Sequence, residues 1–181
     1  MPYLPALTRD AAPTATHAQL DALQAKLGGL PNLFRTLAHA PAALDAYVKL
    51  SGASAGGTLS AKQREQIALV VGEANGCDYC IAAHGAIGAM VGLTPAQVDA
   101  ARHGRASDPR DAALLVLARR IVETRGHVPT SELDAFKAAG FDDGAILEVL
   151  VAVVLNVFTN YTNHLARTEI DFPVVEKSLA A

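Results

Sequence analysis

Apolar residues along this chain recur every three or four positions, and proline or glycine marks each break in the pattern. No stretch alternates apolar and polar residues as a half-buried strand would, so the periodicity predicts an all-α chain. Residues 1–16, with three prolines and no sustained period, read as an extended arm that packs on the body or reaches a neighbouring subunit. Residues 17–181 are expected to form one helical domain. A first helix runs from His17 to Lys26, where Gly28-Gly29 stops it, and Pro31-Asn32-Leu33-Phe34 begins a second. Pro41 suits the first turn of a third, which ends near Gly56-Gly57. Ser60, with Gln63 three residues on, forms a capping box for a helix that reaches Asn75 and stops at Gly76. Cys77 to Val91 reads as the next helix. Thr94-Pro95-Ala96-Gln97 opens another, Pro109 a longer one up to Gly126, and Thr130 or Ser131 one that Gly140 ends. The last helix, from about Asp142 into Arg167, has no polar residue between Val149 and Leu155. It is expected to be buried nearly all round, in the core or between subunits.

Composition supports closely packed helices. Hydrophobic residues make up 51 % of the 181 positions, aromatics only 5 %, and Trp is absent, so Ala, Val and Leu supply the apolar volume. A chain of 18.8 kDa suits one domain with a substantial core. The net charge of -3, with basic residues scattered, gives no electrostatic footprint for nucleic acid or an anionic membrane. The seven-residue apolar run is too short to cross a bilayer, and Met1-Pro2-Tyr3-Leu4-Pro5 lacks the pattern of a secretory signal. The expectation is a cytoplasmic protein whose thiols are kept reduced.

Both cysteines fall in one stretch, Gly76-Cys77-Asp78-Tyr79-Cys80-Ile81-Ala82-Ala83-His84. On a helix, spacings of three and four put Cys77, Cys80 and His84 within an arc of about 60°. A thiol at a helix N-terminus feels unpaired amides, which favour Cys77 as the thiolate. An imidazole one turn away favours Cys80 instead, so the residues alone leave the order of the two sulfurs open. Glu65 interrupts the apolar stripe of Ala61, Ala68, Leu69 and Gly72 on the preceding helix. Because the chain reverses at Gly76, Glu65 can meet His84 across an antiparallel helix pair, fix its tautomer and raise its basicity.

Glu65, Cys77, Cys80 and His84 match the Glu-x11-Cys-x2-Cys-x3-His pattern of the alkylhydroperoxidase D-like branch of the carboxymuconolactone decarboxylase family. The resemblance extends in weaker form from Gly29-Leu30-Pro31-Asn32 to Asn160-Tyr161-Thr162-Asn163-His164 and Glu169-Ile170-Asp171-Phe172-Pro173, as in the family's peroxidase-related members. It implies an AhpD-like helical bundle that acts as a homo-oligomeric thiol peroxidase without cofactor. By the same resemblance Cys80 is oxidised by a hydroperoxide, Cys77 resolves the sulfenic acid, and His84 with Glu65 relays protons. A thioredoxin-like or lipoyl dithiol would restore the pair. The chain departs from the well-studied members at Tyr79, where they carry a histidine; a phenol is a poor proton acceptor at neutral pH.

Other readings of the same residues are a general dithiol–disulfide oxidoreductase, a zinc-stabilised interaction module and a lactone decarboxylase. In the zinc reading Cys77, Cys80 and His84 are joined by Glu65 or Glu73, but a closed site usually draws on two separated clusters. Glu73 otherwise reads as solvated. The polar row Asn156, Asn160, Asn163 and His164 reads as a satisfied interface between helices or subunits. Thr159-Asn160-Tyr161-Thr162 echoes Cys77-Asp78-Tyr79-Cys80 behind an apolar helix and hints at a duplicated helical unit.

Overall fold

Residues 1–173 are described by the computed structural model, and among them the chain forms helices and a single 3-10 turn, with no strand. The helices are α1 (His17–Leu27), α2 (Asn32–Leu37), α3 (Pro41–Ala55), α4 (Ala61–Asn75), α5 (Asp78–Met90), α6 (Pro95–Arg102), α7 (Pro109–Thr124), α8 (Thr130–Ala138) and α9 (Asp143–Ala166). The tail after Pro173, which completes the expected domain, lies outside the described residues. Local chemistry sets the boundaries. Ser60 Oγ accepts from the Gln63 amide at 3.2 Å while Gln63 Oε1 accepts from the Ser60 amide at 3.0 Å, so α4 begins on a complete capping box. Gly76 ends α4 at φ 68, a left-handed position that suits a residue without Cβ.

Helix α4 is the axis of the molecule. It packs against α5, α6, α7 and α9, and Ile67, Leu69, Val70 and Val71 are fully buried along it. Its aliphatic side joins Leu114 and Leu115 of α7, Phe136 of α8 and Val149 and Val153 of α9 in the larger core. A second cluster gathers Leu20, Phe34 and Leu44 of α1–α3 around Cys77, Tyr79 and Cys80. The arm lies on its own chain: the Tyr3 amide donates to Ala166 O at 2.7 Å, and Arg35 Nε donates to Leu7 O at 2.8 Å.

Helix α9 bears on two expectations. Within this chain the core covers it on one side only, leaving Leu147 64 %, Val154 48 % and Leu165 75 % exposed. The reason is geometric: among the described residues α2, α3, α4, α5 and α7 pack against one face of this long helix. Its length and hydropathy match those of a membrane span, yet its inner face carries Asn160 and Asn163 against α4 and α5, as a core helix of the bundle can. The echo of the cysteine stretch fails by position. Thr159–Thr162 lies inside α9, whereas Cys77–Cys80 straddles the start of α5 after a turn.

Candidate active site

The turn at Gly76 sets the site. After it the Cys77 amide donates to Gly72 O at 2.8 Å, and Cys77 becomes the N-cap of α5, its Sγ accepting from the Cys80 amide at 3.3 Å. The helix thus starts one residue later than expected, and Cys77 stands just outside it. Both thiols are free and buried, with 1 % and 2 % of each residue exposed. Gly72 sits against the start of α5, where a Cβ would make only an ordinary 3.6 Å contact with Cys80 Cβ. One turn beyond Cys80, His84 Nδ1 lies 2.7 Å from Glu65 Oε2. The carboxylate accepts the Nδ1 proton, which leaves Nε2 as the working nitrogen. The site meets solvent here, with the His84 and Glu65 side chains 22 % and 16 % exposed.

Electrostatics separate the two sulfurs. Cys80 is held well below the ordinary thiol value by hydrogen bonding from the Cys77 thiol; burial opposes this, and the nearby His84 charge and the amides of Asn163 and Asn160 reinforce it. Cys77 is pushed far up because its proton is held on Cys80 and because it is buried. The dipole argument, which favoured Cys77, therefore loses to the Cys77 proton and His84. Burial alone would lower His84, but the charge and hydrogen bond of Glu65, with Cys80, hold it above the usual imidazole range.

Tyr79 has a structural place. Its hydroxyl accepts from the Leu33 amide at 3.1 Å, its ring meets Phe172 edge-on at 5.8 Å, and burial keeps its phenol neutral. Beside it the Asp171 carboxylate accepts from the Asn32 amide at 2.7 Å, and Asn32 Nδ2 donates to Glu169 O at 3.1 Å. The Pro31-Asn32 and Glu169–Pro173 segments, far apart in sequence, thus close together over the dithiol.

Sequence reasoning missed the asparagines. Two members of the row on α9 belong to the site rather than to a satisfied interface: Asn163 Nδ2 donates to Cys80 Sγ at 3.3 Å, and Asn160 Oδ1 accepts from Asn75 Nδ2 at 2.8 Å. The signal available was an asparagine pair spaced by three on an otherwise apolar helix. Asn156 only bonds back to Ala152 O, and His164 is exposed and stacks on Tyr161. Glu73 is not free in solvent as expected; it pairs with the buried Arg102 at 2.9 Å, which takes it from the zinc set. Among the described residues no group of three or more His, Cys, Asp or Glu is arranged to hold a metal ion.

An all-helical bundle with a buried Cys-x-x-Cys, an imidazole one turn further along the same helix and a carboxylate behind it on the neighbouring helix, defines a dithiol protein of the AhpD type. Residues 41–124, which include all four of these side chains, match the model of the carboxymuconolactone decarboxylase family. Among solved structures, the chain is similar to the alkylhydroperoxidase AhpD core of a peroxidase-related protein from Ralstonia eutropha JMP134. That match has 26 % identity and a TM-score of 0.85 over 94 % of this chain and 92 % of the other. A peroxidase-related protein from Silicibacter sp. TM1040 follows at 23 % identity and TM-score 0.80, over 92 % of each chain. The debrominase Bmp8 shares the fold at 22 % identity and TM-score 0.78, over 93 % of this chain and 92 % of its own. A comparison with curated proteins found no match.

Proposed function

We propose that this chain is a dithiol-dependent reductase of organic hydroperoxides, working as a homo-oligomer and recycled by a separate dithiol protein in a reducing compartment. The observation that carries the reading is the buried thiol pair with opposite proton affinities beside a His84–Glu65 pair at 2.7 Å. The Cys80 thiolate attacks the terminal oxygen of R–O–O–H, the S–O bond forms, the O–O bond breaks, and the leaving alkoxide takes a proton from His84. Cys77 then attacks the Cys80 sulfur, releasing water and closing a disulfide, which an external dithiol reduces. The assignment of Cys80 as the attacked sulfur agrees with its lowered pKa and with the family order. Aromatic lining favours an organic group on the peroxide: Phe34, Tyr47, Tyr79, Phe158 and Phe172 all pack in the cluster that holds the two cysteines.

A deciding experiment is mass spectrometry of the thiols after substoichiometric cumene hydroperoxide. The wild type should give a Cys77–Cys80 disulfide, Cys77→Ser a sulfenic acid trapped by dimedone, and Cys80→Ser no reaction. Peroxidase activity surviving in Cys80→Ser would sink the assignment. The debrominase neighbour names a competitor on the same aromatic-lined site, since two thiols also supply the two electrons that replace a carbon–bromine bond by carbon–hydrogen with loss of bromide. Comparing cumene hydroperoxide with 2,3,4-tribromopyrrole as oxidant separates the two. The assembly is supported by the open apolar face of α9, with Leu147, Leu150, Val154 and Leu165. Sedimentation velocity should give a particle larger than one 18.8 kDa chain.

A further inference from the structure

The asparagine pair on α9 is the buried polar feature that the reaction above leaves without a task. Asn163 and Asn160 are 4 % and 0 % exposed, and the amides of both act on the Cys80 thiol. Asn163 Nδ2 donates to Cys80 Sγ, but its Oδ1 has no partner. Asn160 Oδ1 is held by Asn75; its Nδ2 helps to lower the Cys80 thiol but makes no close hydrogen bond to any group. Buried amide groups left this way are uncommon in folded interiors. Two neighbouring side chains therefore present one free acceptor and one donor without a close partner next to the sulfur that reacts.

We propose that Asn160 and Asn163 form a cradle that holds the Cys80 thiolate and then receives the oxygen it takes from the substrate. This inference rests on the hydroperoxide reading. In the resting site the Asn163 amide donates to the thiolate. Attack forms the S–O bond and breaks the O–O bond, so the hydroxyl stays on sulfur while the alkoxide leaves with the His84 proton. The product, Cys80–S–OH, carries one O–H donor and free lone pairs on oxygen. Asn163 Oδ1 can accept that hydrogen and Asn160 Nδ2 can donate to the oxygen, so the two idle groups complement the sulfenic acid. Asn75 acts as a positioning residue, because its amide holds Asn160 Oδ1 and so turns Asn160 Nδ2 the other way. The cradle keeps the intermediate in place until Cys77 attacks.

The other titratable groups around Cys80 are Cys77 before α5, His84 on α5 with Glu65 behind it on α4, Tyr47 on α3 and Tyr79. Both phenols are pushed up by burial and stay neutral across the range tested. The test uses the full chain in a Cys77→Ser background, with folding of each variant checked by circular dichroism. The pH dependence of iodoacetamide alkylation reads the thiolate without any peroxide. Asn163→Leu, close in volume and uncharged, should raise the midpoint by about one pH unit, a tenfold loss of thiolate below it. Asn163→Ala serves the same purpose if the leucine does not fold. Sulfenic acid is made with excess hydrogen peroxide, so this arm does not depend on efficient turnover of any substrate. Asn160→Asp keeps the acceptor for Asn75 but removes the free donor, and it should shorten the dimedone-reactive lifetime severalfold. Unchanged alkylation midpoints in the folded Asn163 variants, or an unchanged sulfenic acid lifetime in Asn160→Asp, would overturn the cradle. A wild type that alkylates with a low midpoint yet ignores cumene hydroperoxide would overturn the substrate reading alone.

Discussion

The two cores of this molecule are built from different materials. The larger one, between α4, α7, α8 and α9, is aliphatic apart from the stacked Phe136–Phe141 pair, and its charged side chains form ion pairs at the rim, such as Arg120 with Glu132. The smaller one holds both thiols, most of the aromatic rings, and the asparagines with polar atoms left unpaired. Apolar burial costs nothing in polar satisfaction and supplies the bulk of folding energy. Buried donors and acceptors without partners cost stability, and they persist where a site uses them. The difference teaches that α4 joins a region built to hold shape to a region built to hold a reactive sulfur.

That division breaks most visibly under substitution in the larger core. Leu115 is 0 % exposed in α7, and Leu115→Ala should lower stability by about 2–5 kcal/mol through lost burial and the cavity left behind. Thiol reactivity of the protein that remains folded should be unchanged. Urea denaturation together with iodoacetamide kinetics checks both halves of the statement. A large drop in thiol reactivity without unfolding would mean that the two regions are mechanically coupled.

Much of this division is legible in the sequence. The helix starts at Ser60, Thr94 and Pro109 follow from capping chemistry that acts within a few residues, and all three appear where that chemistry puts them. The meeting of Glu65 with His84 is also legible, because one tight turn at Gly76 leaves only an antiparallel pairing for the two helices. The role of the asparagines is not. Asn163 lies 83 positions from Cys80, and no local pattern says which face of α9 turns toward α5. What covers α9 is illegible for a related reason: an apolar run reports the wish to be covered, not whether the same chain or a neighbouring subunit supplies the cover. Glu73 finds Arg102 across α6, again a contact between elements that spacing alone does not give.

The site itself is sharpened by weakening the pair behind the sulfur. Glu65→Gln keeps a side chain of similar size but removes the charge that holds His84 above the usual imidazole range. Oxidation of Cys80 by cumene hydroperoxide should slow by about 10²-fold, the scale of general acid–base assistance. Stopped-flow measurement against peroxide concentration gives the rate constant. A rate within twofold of wild type would remove Glu65 from the proposed relay.

The smallest effect concerns stability against pH, and its sign distinguishes the two titrating groups. The folded pKa of His84 is raised, so the stabilisation that Glu65 gives it is fully present below the unfolded imidazole value and is lost as pH rises through the folded one. Cys80 acts in the opposite sense: its folded pKa is lowered, so its contribution is present above the unfolded thiol value and is lost as pH falls through the folded one. A Cys80→Ser background removes the second titration. In that background the melting-temperature gap between Glu65 and Glu65→Gln should be widest near pH 6 and should close as pH rises toward 9. A gap that stays constant over this range would mean that Glu65 holds His84 by shape alone, and a gap that widens with pH would reverse the assignment of charge to the pair.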